Sequence, residues 1–595
     1  MNQIIFIFLL SLSTLAAIAQ SGPPVSPIQE KIFVHTDKDT YLAGEIIWFK
    51  TYVLDAASKR LLSLSKVAYV EIISSEQRPV FQGKIAIDEG HGSGSFQLPY
   101  SVRSGNYLLR AYTSWMKNAG PGSFFEKNIA IINTLREYDT AAGTTSATTA
   151  ASTTTAISTT IASPSTTVTP HSPTPLNITA DKSQYGPGEK VTLQISGCPV
   201  ASQLSLSVTL QDSIQSLNGD DILSFYNNTA TPGAASQSPN IPEYAGLLVE
   251  GKIIDRRTGQ PASNIGAWLS APGNYFHLAY AVSDKDGLLT WQMGSFYGQH
   301  ELVVQTAKRD DGNRYRIDIL SPFADPALRE PLPKFRFPAQ ASQQLLWHSI
   351  GAQAANAWQA DKKRRFSQPA ITDTSAFFGE PNKRYILDDY TRFGTMEEVM
   401  REYVKEVKVR DHSGSFIFTV QSDQANQLFF DNPPLTLMDG VPVTGFNQII
   451  GFDPLKVRRL DVITKRYFLG DTLYNGILSY STYQGDLAGF PLDSSAYIQE
   501  LEGLQPIREF YSPAYAGPGQ SSNPTSPAGG QPRSRIPDLR NQLFWSPDIQ
   551  LPAGATQQFT FYTSDMPGRY TAVIQGITED GRPLKALVSF TIGTL

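Results

Sequence analysis

Short apolar runs punctuated at near-regular intervals by Gly, Pro, Asn and Asp occupy most of the chain. Positions 32–35, 46–53, 67–73, 80–87 and 107–112 form a first series rich in Val, Ile, Tyr and Phe. That residue choice and spacing predict the strands of a β-sandwich. A second series begins at 191–195 and 204–210, and its continuous signal stops near Asp212. Three or four strands cannot cover both faces of a sandwich. The strand-rich C-terminal runs 558–562, 570–574 and 587–592 are therefore expected to complete it from far along the chain. A helical pattern over 339–366, with Leu345, Leu346, Ile350 and Trp358 as its apolar positions, predicts a connector. Thr395 followed by Glu398 predicts a capping box at the start of a short helix, with Glu397 also in its first turn. The expected fold class is mainly β, a multidomain array of sandwiches with smaller mixed elements between them.

Composition agrees with a folded chain: 41% hydrophobic and 17% charged residues, with 40 Pro and 45 Gly for many turns. The net charge of −5 and the absence of a basic stripe with interleaved aromatics argue against nucleic acid. The tetrad Lys362-Lys363-Arg364-Arg365 reads as a solvated helix face. An apolar core beginning at Ile4 and ending in Ala17-Ile18-Ala19 reads as a signal peptide over 1–19, although no Lys or Arg precedes it. No later stretch is long and apolar enough for a membrane-spanning helix, so the mature chain is expected to lack an integral span. Residues 136–175 are almost wholly Thr, Ser, Ala and Pro, a linker that lacks the apolar surface to offset ordering. Its composition is that of O-glycosylated stalks, and Asp139-Thr140-Ala141 fits a short O-glycosylation pattern. Cys198 is the only cysteine, which excludes an internal disulfide and predicts a small residue at a strand end.

An internal repeat links the two strand series. Asp37-Lys38-x-x-Tyr41-x-x-Gly44-Glu45 recurs at identical spacing as Asp181-Lys182-x-x-Tyr185-x-x-Gly188-Glu189. With Gly105-Asn106-Tyr107 and the segment 109–116, it resembles the macroglobulin-type domain of bacterial alpha-macroglobulin relatives, in a variant found in Bacteroidetes envelope proteins. The resemblance implies macroglobulin-like sandwiches at 27–135 and 176–240, the second completed by 541–595. Phe544-Trp545-Ser546-Pro547 and the segment 565–570 are similar to segments of the same family. Gly251-Lys252-Ile253-Ile254-Asp255, Thr258-Gly259-Gln260-Pro261 and Asp284-Lys285-Asp286-Gly287 resemble the carboxypeptidase-regulatory-like sandwich, which implies such a module at 244–322. Met438-Asp439-Gly440-Val441-Pro442-Val443, Phe452-Asp453-Pro454, Leu460-Asp461-Val462-Ile463 and Tyr474-Asn475-Gly476-Ile477-Leu478 resemble the plug domain of TonB-dependent receptors. That implies a small α+β plug-like domain at 385–490, after a helical connector at 338–370. A receptor barrel of about 22 strands at about 10 residues each needs roughly 220 residues. About a hundred residues follow the plug-like segment, so it has no barrel of its own here. The Pro/Gly/Ser-rich stretch 503–537 is expected to be a mobile loop.

The chemistry-bearing residues are scattered. There is no His-Glu-x-x-His, no Gly-x-Ser-x-Gly and no Gly-Lys-Ser/Thr loop. Cys198 is followed by Pro-Val, whereas a macroglobulin thioester needs Gly-Glu-Gln. The seven histidines show no ligand spacing, and His35 reads as a satisfied structural residue. Gly90-His91-Gly92-Ser93-Gly94-Ser95 reads as a β-turn, because no helix follows to offer amides to a phosphate. The pairs Asp388-Asp389 and Asp284/Asp286 have too few local oxygen ligands for calcium. No enzyme, cofactor or metal is expected. The expected function is a non-catalytic binding or scaffold protein of the cell envelope, accessory to an outer-membrane uptake or surface system. The alternative is a thioester-free macroglobulin-like protease inhibitor. The expected location is the periplasm or the outer membrane, and the expected partner is an envelope protein, with an outer-membrane barrel as first candidate. Met438, Asp439, Val441 and Phe446 are the candidate partner-binding residues. Their surface is either open to that partner or covered by the chain's own neighbours.

Overall fold

The structure is a computed structural model. It describes residues 28–136, 175–215, 221–227, 240–307, 314–337, 341–367, 376–423, 428–470, 472–493, 496–515 and 537–593. The expected signal peptide, nearly all of the Thr/Ser linker and most of the Pro/Gly/Ser-rich stretch lie outside the described residues. Strands dominate, arranged as small sheets stacked in pairs.

The first sandwich pairs a three-stranded sheet, in the order Glu30–Thr36, Ile46–Asp55, His91–Gln97, with a five-stranded one. The order there is Thr40–Leu42, Phe125–Ile132, Gly105–Thr113, Val67–Ser74, Pro79–Ala86. The second sandwich repeats this plan strand for strand. Its three-stranded sheet runs Asn177–Ala180, Lys190–Ser196, Gln557–Tyr562. Its five-stranded sheet runs Gln184–Tyr185, Pro583–Ile592, Gly568–Thr578, Ser202–Gln211, Gln542–Leu551. In both copies the short second strand is parallel to the last strand of the domain. The copies differ at one connection. In the first, Val67–Ser74 turns directly into Pro79–Ala86. In the second, the equivalent Ser202–Gln211 and Gln542–Leu551 still pair antiparallel, but residues 212–541 are inserted between them. A hairpin tip is where a fold best tolerates an insertion, because no core group has to move.

The inserted chain builds the rest of the molecule. A third sandwich stacks the sheet Leu288–Gly294, Leu247–Asp255, Tyr315–Ile319 on the sheet His277–Val282, Gly266–Ala271, Gln299–Thr306, Tyr497–Glu502. Its last strand returns from the far side of the α+β module, pairing Gln299↔Glu502 through Val304↔Tyr497. The α+β module has a five-stranded sheet in the order Lys383–Ile386, Val457–Leu469, Thr472–Thr482, Leu435–Met438, Val441–Pro442. Met400, Val404, Phe418, Leu460 and Tyr480 fill one face of that sheet. Leu435, Leu437, Ile463 and Ile477 on the other face pack against Phe276 and Leu278 of the third sandwich.

Several expectations meet a different arrangement. His91–Gln97 is a strand paired with Ile46–Asp55, not a turn. The chain reverses earlier, at Glu89 and Gly90, both with positive φ. Gly92 and Gly94 let the Ala86 carbonyl and the Phe49 ring approach where a Cβ would stand. Of the stretch expected to be mobile, 503–515 is held in place. Ile507–Arg508 pairs with Phe366–Ser367, and the Gln505 side chain bonds both the N–H (3.0 Å) and the carbonyl (2.6 Å) of Ser95.

The connector helix Ser342–Trp358 lies the other way round from its apolar pattern. It buries His348, Ser349 and Gly351 and leaves Leu346, Ile350 and Trp358 exposed. The cause is close packing: Gly351 sits against the Leu539 carbonyl, with no room for a Cβ. The capping box forms as expected. Thr395 Oγ1 accepts from Glu398 N (3.3 Å), and Glu398 Oε2 accepts from Thr395 N (3.1 Å).

Candidate functional site

The two sequence repeats fold into the same hydrogen-bonded clasp. Tyr41 donates to Asp37 Oδ1 at 2.7 Å, and Tyr185 donates to Asp181 Oδ1 at 2.7 Å. Each aspartate also accepts the N–H eleven residues on, from Trp48 (2.9 Å) and Thr192 (2.8 Å). Lys38 pairs with Glu45 at 2.7 Å, and Lys182 pairs with Glu189. The glutamates accept backbone N–H groups three residues back, from Leu42 (2.9 Å) and Gly186 (2.7 Å). The clasp thus pins each short second strand to the start of the third, satisfying donors that a tight crossover would otherwise orphan.

Their surroundings separate the two clasps. In the second, Asp181 and Lys182 are exposed and Tyr185 is buried, whereas the whole of the first is buried or nearly so where the first sandwich meets the second. That interface is polar. Ser202–Gln211 sends Leu204, Leu206, Val208 and Leu210 into its own core and Ser205, Ser207 and Thr209 toward the first sandwich. Ser205 Oγ bonds His35 Nδ1 (2.6 Å) and the Tyr52 hydroxyl (2.9 Å), while Ser207 donates to the Asp37 carbonyl (2.8 Å). Burial, helped by Lys127 and Lys585, pushes His35 down to about 3, so the ring is neutral at physiological pH. Burial outweighs Lys38 and the two hydrogen bonds at Asp37 and raises it to about 6. Its second oxygen has no partner.

From this clasp a buried polar chain crosses three elements. Glu45 Oε1 accepts from Asn541 Nδ2 (3.1 Å), Asn541 meets His348 Nδ1 (3.1 Å), and His348 Nε2 meets Asp212 Oδ2 (2.8 Å). Asp212 and Asn541 stand at the two ends of the long insertion, and His348 is on the connector helix. At Glu45 and at Asp212 burial acts to raise the carboxyl, but Lys38 beside the first and His348 beside the second outweigh it and hold each low. A cavity of about 80 Å3 adjoins this chain, walled by Trp48, Asn356, Gln359, Lys363, Tyr511 and Gln542 among others. Lys363, expected on a solvated face, turns into this wall instead, where Asn356 Oδ1 accepts from it at 3.2 Å.

The four residues expected to meet a partner lie elsewhere and are not an open surface. Met438, Asp439 and Val441 are buried, and Phe446 is half-buried against Phe418 at 4.7 Å. Asp439 and Gly440, both with positive φ, form the tight turn between Leu435–Met438 and Val441–Pro442. Asp439 accepts from Thr482 N (2.7 Å), Thr482 Oγ1 (2.7 Å) and Leu487 N (2.8 Å), so it clamps the loop after Thr472–Thr482. Gly440 abuts Phe276, and Gln305 donates to the Pro442 carbonyl at 2.7 Å. The third sandwich thus covers this turn. Cys198 is buried just past Lys190–Ser196, 3.2 Å from Ser202 Oγ. Among the described residues, no group of three or more His, Cys, Asp or Glu has the geometry of a metal site. No helix among them is long and apolar enough to cross a membrane.

Sequence patterns missed the residues that do converge. His348 lies on a helix whose apolar pattern points to Leu345, Leu346, Ile350 and Trp358 as the buried face instead, and Asp212 and Asn541 are separated by the whole insertion. The one available signal was the repeat itself, which singles out Lys38 and Glu45.

No family model matches the chain, and no curated protein does. Among solved structures, it is similar to a mutant of Salmonella alpha-2-macroglobulin at 11% identity, over 98% of this chain and 41% of that one, with a TM-score of 0.24. It is similar to Escherichia coli alpha-2-macroglobulin activated by porcine elastase at 10% identity, over 95% and 44%, with a TM-score of 0.24. For an Escherichia coli adhesin the identity is 11%, the coverage 48% and 63%, and the TM-score 0.14. The chain spans less than half the length of these macroglobulins.

Proposed function

We propose that this chain is a non-catalytic binding and scaffold protein of a bacterial cell envelope, exported to the periplasm or the outer membrane. In this reading the duplicated sandwiches are macroglobulin-like, the third is carboxypeptidase-regulatory-like, and the α+β module is plug-like. The clasp sequence, the Gly-rich turns of 251–287 and the Met438–Val443 segment support those assignments. One observation carries the scaffold reading. The second sandwich closes only when strands on either side of residues 212–541 pair, so the third sandwich and the α+β module are mounted on one frame. The polar chain Asp212–His348–Asn541–Glu45 ties that frame to the first sandwich. Such a frame presents modules at fixed positions.

The long hairpin Val457–Leu469/Thr472–Thr482 is the part of the α+β module best suited to meet a partner, because Phe468 near its tip is 73% exposed. The partner in this reading is an envelope protein, first of all an outer-membrane barrel. Photo-crosslinkers at Phe468 and Leu473 in cells test it. Capture of a barrel protein is the expected result. Crosslinks confined to the chain itself, or recovery of the chain from the cytoplasm, would end the reading.

A further inference from the structure

The connector helix Ser342–Trp358 buries its small and polar side, which leaves its apolar side facing outward. Leu346 is 58% exposed, Trp347 46%, Ile350 40% and Trp358 66%. At 3.6 residues per turn these four fall within an arc of about 120°, with Ala354 and Ala357 between them. The helix carries no Asp, Glu, Lys or Arg. A stripe of this kind ordinarily faces a core.

Positive charge is placed at both ends of the helix. Lys334 and Arg336 precede it, Arg364 and Arg365 follow it, and all four are exposed. Each pair has an exposed aromatic beside it, Phe337 at 42% and Phe366 at 47%. Lys362 and Lys363 turn instead toward Tyr511 (3.1 Å) and Asn356 (3.2 Å). From Lys334 to Phe366 the chain has six Lys or Arg and one acid, Asp361, a net of +5 in a chain whose net is −5. Glu509, whose N–H donates to the Arg365 carbonyl at 3.0 Å, is an exposed carboxylate beside the second pair. The surface around the apolar stripe still carries a cationic surplus, which complements an anion-rich partner.

We propose that this face docks on an anionic lipid bilayer. Leu346, Trp347, Ile350 and Trp358 enter the boundary between headgroups and acyl chains, and the two basic ends pair with lipid phosphates. Tryptophan with flanking basic side chains suits that boundary, which is apolar on one side and wet and negative on the other. The inner side of the helix is held by the protein: Asn356 donates to the Gly44 carbonyl (3.1 Å) and the Tyr100 hydroxyl (2.7 Å), and Gly351 abuts Leu539. The helix is about 25 Å long at 1.5 Å per residue, so it lies along the surface and does not cross. A second copy is a poorer occupant. Both ends are basic, so two copies meeting face to face, parallel or antiparallel, set like charges together. The proposal goes beyond the scaffold reading and stands without it, because it needs only a lipid surface.

Co-sedimentation with vesicles tests it, using the chain from Gln20 onward, which leaves off the apolar run expected to be a signal peptide. Vesicles of equal parts phosphatidylglycerol and phosphatidylcholine should bind the chain at least about tenfold more tightly than pure phosphatidylcholine, and binding should fall as salt rises. Brominated acyl chains in the same vesicles should quench part of the tryptophan emission. Trp347→Phe with Trp358→Phe should lose that quenching while the chain still sediments. Arg364→Gln with Arg365→Gln should weaken binding more than tenfold, at about fivefold per basic side chain. Trp347→Glu with Ile350→Glu should abolish binding. All four of these side chains are exposed, so the urea midpoint should stay that of the unmodified chain, which separates lost docking from lost folding. No sedimentation with anionic vesicles, equal binding to neutral ones, or unchanged binding in the Trp347→Glu/Ile350→Glu chain would overturn the proposal. So would a concentration-dependent dimer that the same two substitutions abolish, which assigns the face to a second copy.

Discussion

Tyr41 donates its hydroxyl to Asp37 Oδ1 at 2.7 Å and leaves the other carboxylate oxygen buried without a partner. That one-sided arrangement raises Asp37 to about 6 through burial. Glu243, between the first and third sandwiches, is built alike. Leu248 N (3.1 Å) and the Tyr69 hydroxyl (2.9 Å) donate to one oxygen, the other is unpartnered, and burial raises the group to about 7.

These two carboxyls set a pH dependence whose sign is fixed. The folded chain holds their protons up to about 6 and about 7, whereas the unfolded chain releases them near ordinary carboxylate values. Between roughly pH 4 and 7 the folded state binds more protons, so their contribution to stability falls as pH rises. Asp37→Asn and Glu243→Gln should each flatten that part of the profile relative to the unmodified chain, as urea unfolding from pH 4 to 7 would show. His35 acts oppositely. Its folded value near 3 makes it a source of lost stability as pH falls from about 6.5, where the unfolded ring protonates.

The clasps should differ in worth although their geometry is the same. Removing the hydroxyl at Tyr41 takes one of two donors from the buried Asp37 Oδ1 and leaves only Trp48 N–H on it, a loss of about 1–3 kcal/mol for a buried hydrogen bond to a carboxylate. At the more exposed second clasp, water can replace the Tyr185 hydroxyl. Tyr41→Phe should therefore lower the denaturation midpoint clearly more than Tyr185→Phe, and equal effects would contradict the burial difference.

Gly440 fixes the α+β module against the third sandwich. Its φ of +86° costs any residue with a Cβ about 1–2 kcal/mol, and that Cβ would also overlap the Phe276 ring. Gly440→Ala should lower thermal stability and increase hydrogen exchange at Leu435–Met438 and at the facing Phe276 segment together. An unaffected Phe276 segment would mean that the contact does not couple the modules.

Much of this fold is legible in the chain. The spacing of apolar runs marks the first sandwich, the Asp-Lys-x-x-Tyr-x-x-Gly-Glu repeat marks the second, and Thr395 with Glu398 marks a helix start. A further repeat is too short to stand out along the chain: Gly105-Asn106-Tyr107 recurs as Gly568-Arg569-Tyr570. In both, the tyrosine hydroxyl bonds a carbonyl four residues back, Arg103 at 2.8 Å and Met566 at 3.2 Å.

Other features were illegible for physical reasons. Tyr497–Glu502 (YIQELE) is a short polar edge strand whose partner lies nearly two hundred residues earlier, so no local pattern declares it. Ser205 and Ser207 look solvent-facing by alternation, yet a second domain covers them. The helix Ser342–Trp358 turns its small and polar side inward, because Gly351 permits a contact that no apolar side chain would. The groups around Lys363 converge from four segments of chain, which spacing along one segment cannot reveal.

The central claim is that residues 203 and 550 are cross-strand neighbours in a second sandwich split by the insertion. Gln203 and Gln550 are paired antiparallel, which brings their Cα atoms within disulfide range. The most direct test is Gln203→Cys with Gln550→Cys in a Cys198→Ser background, oxidised and run on a non-reducing gel. The nested fold predicts rapid, near-complete intramolecular crosslinking, seen as a faster-migrating band that reductant abolishes. Failure to crosslink in a folded chain, or crosslinking only between molecules, would contradict it.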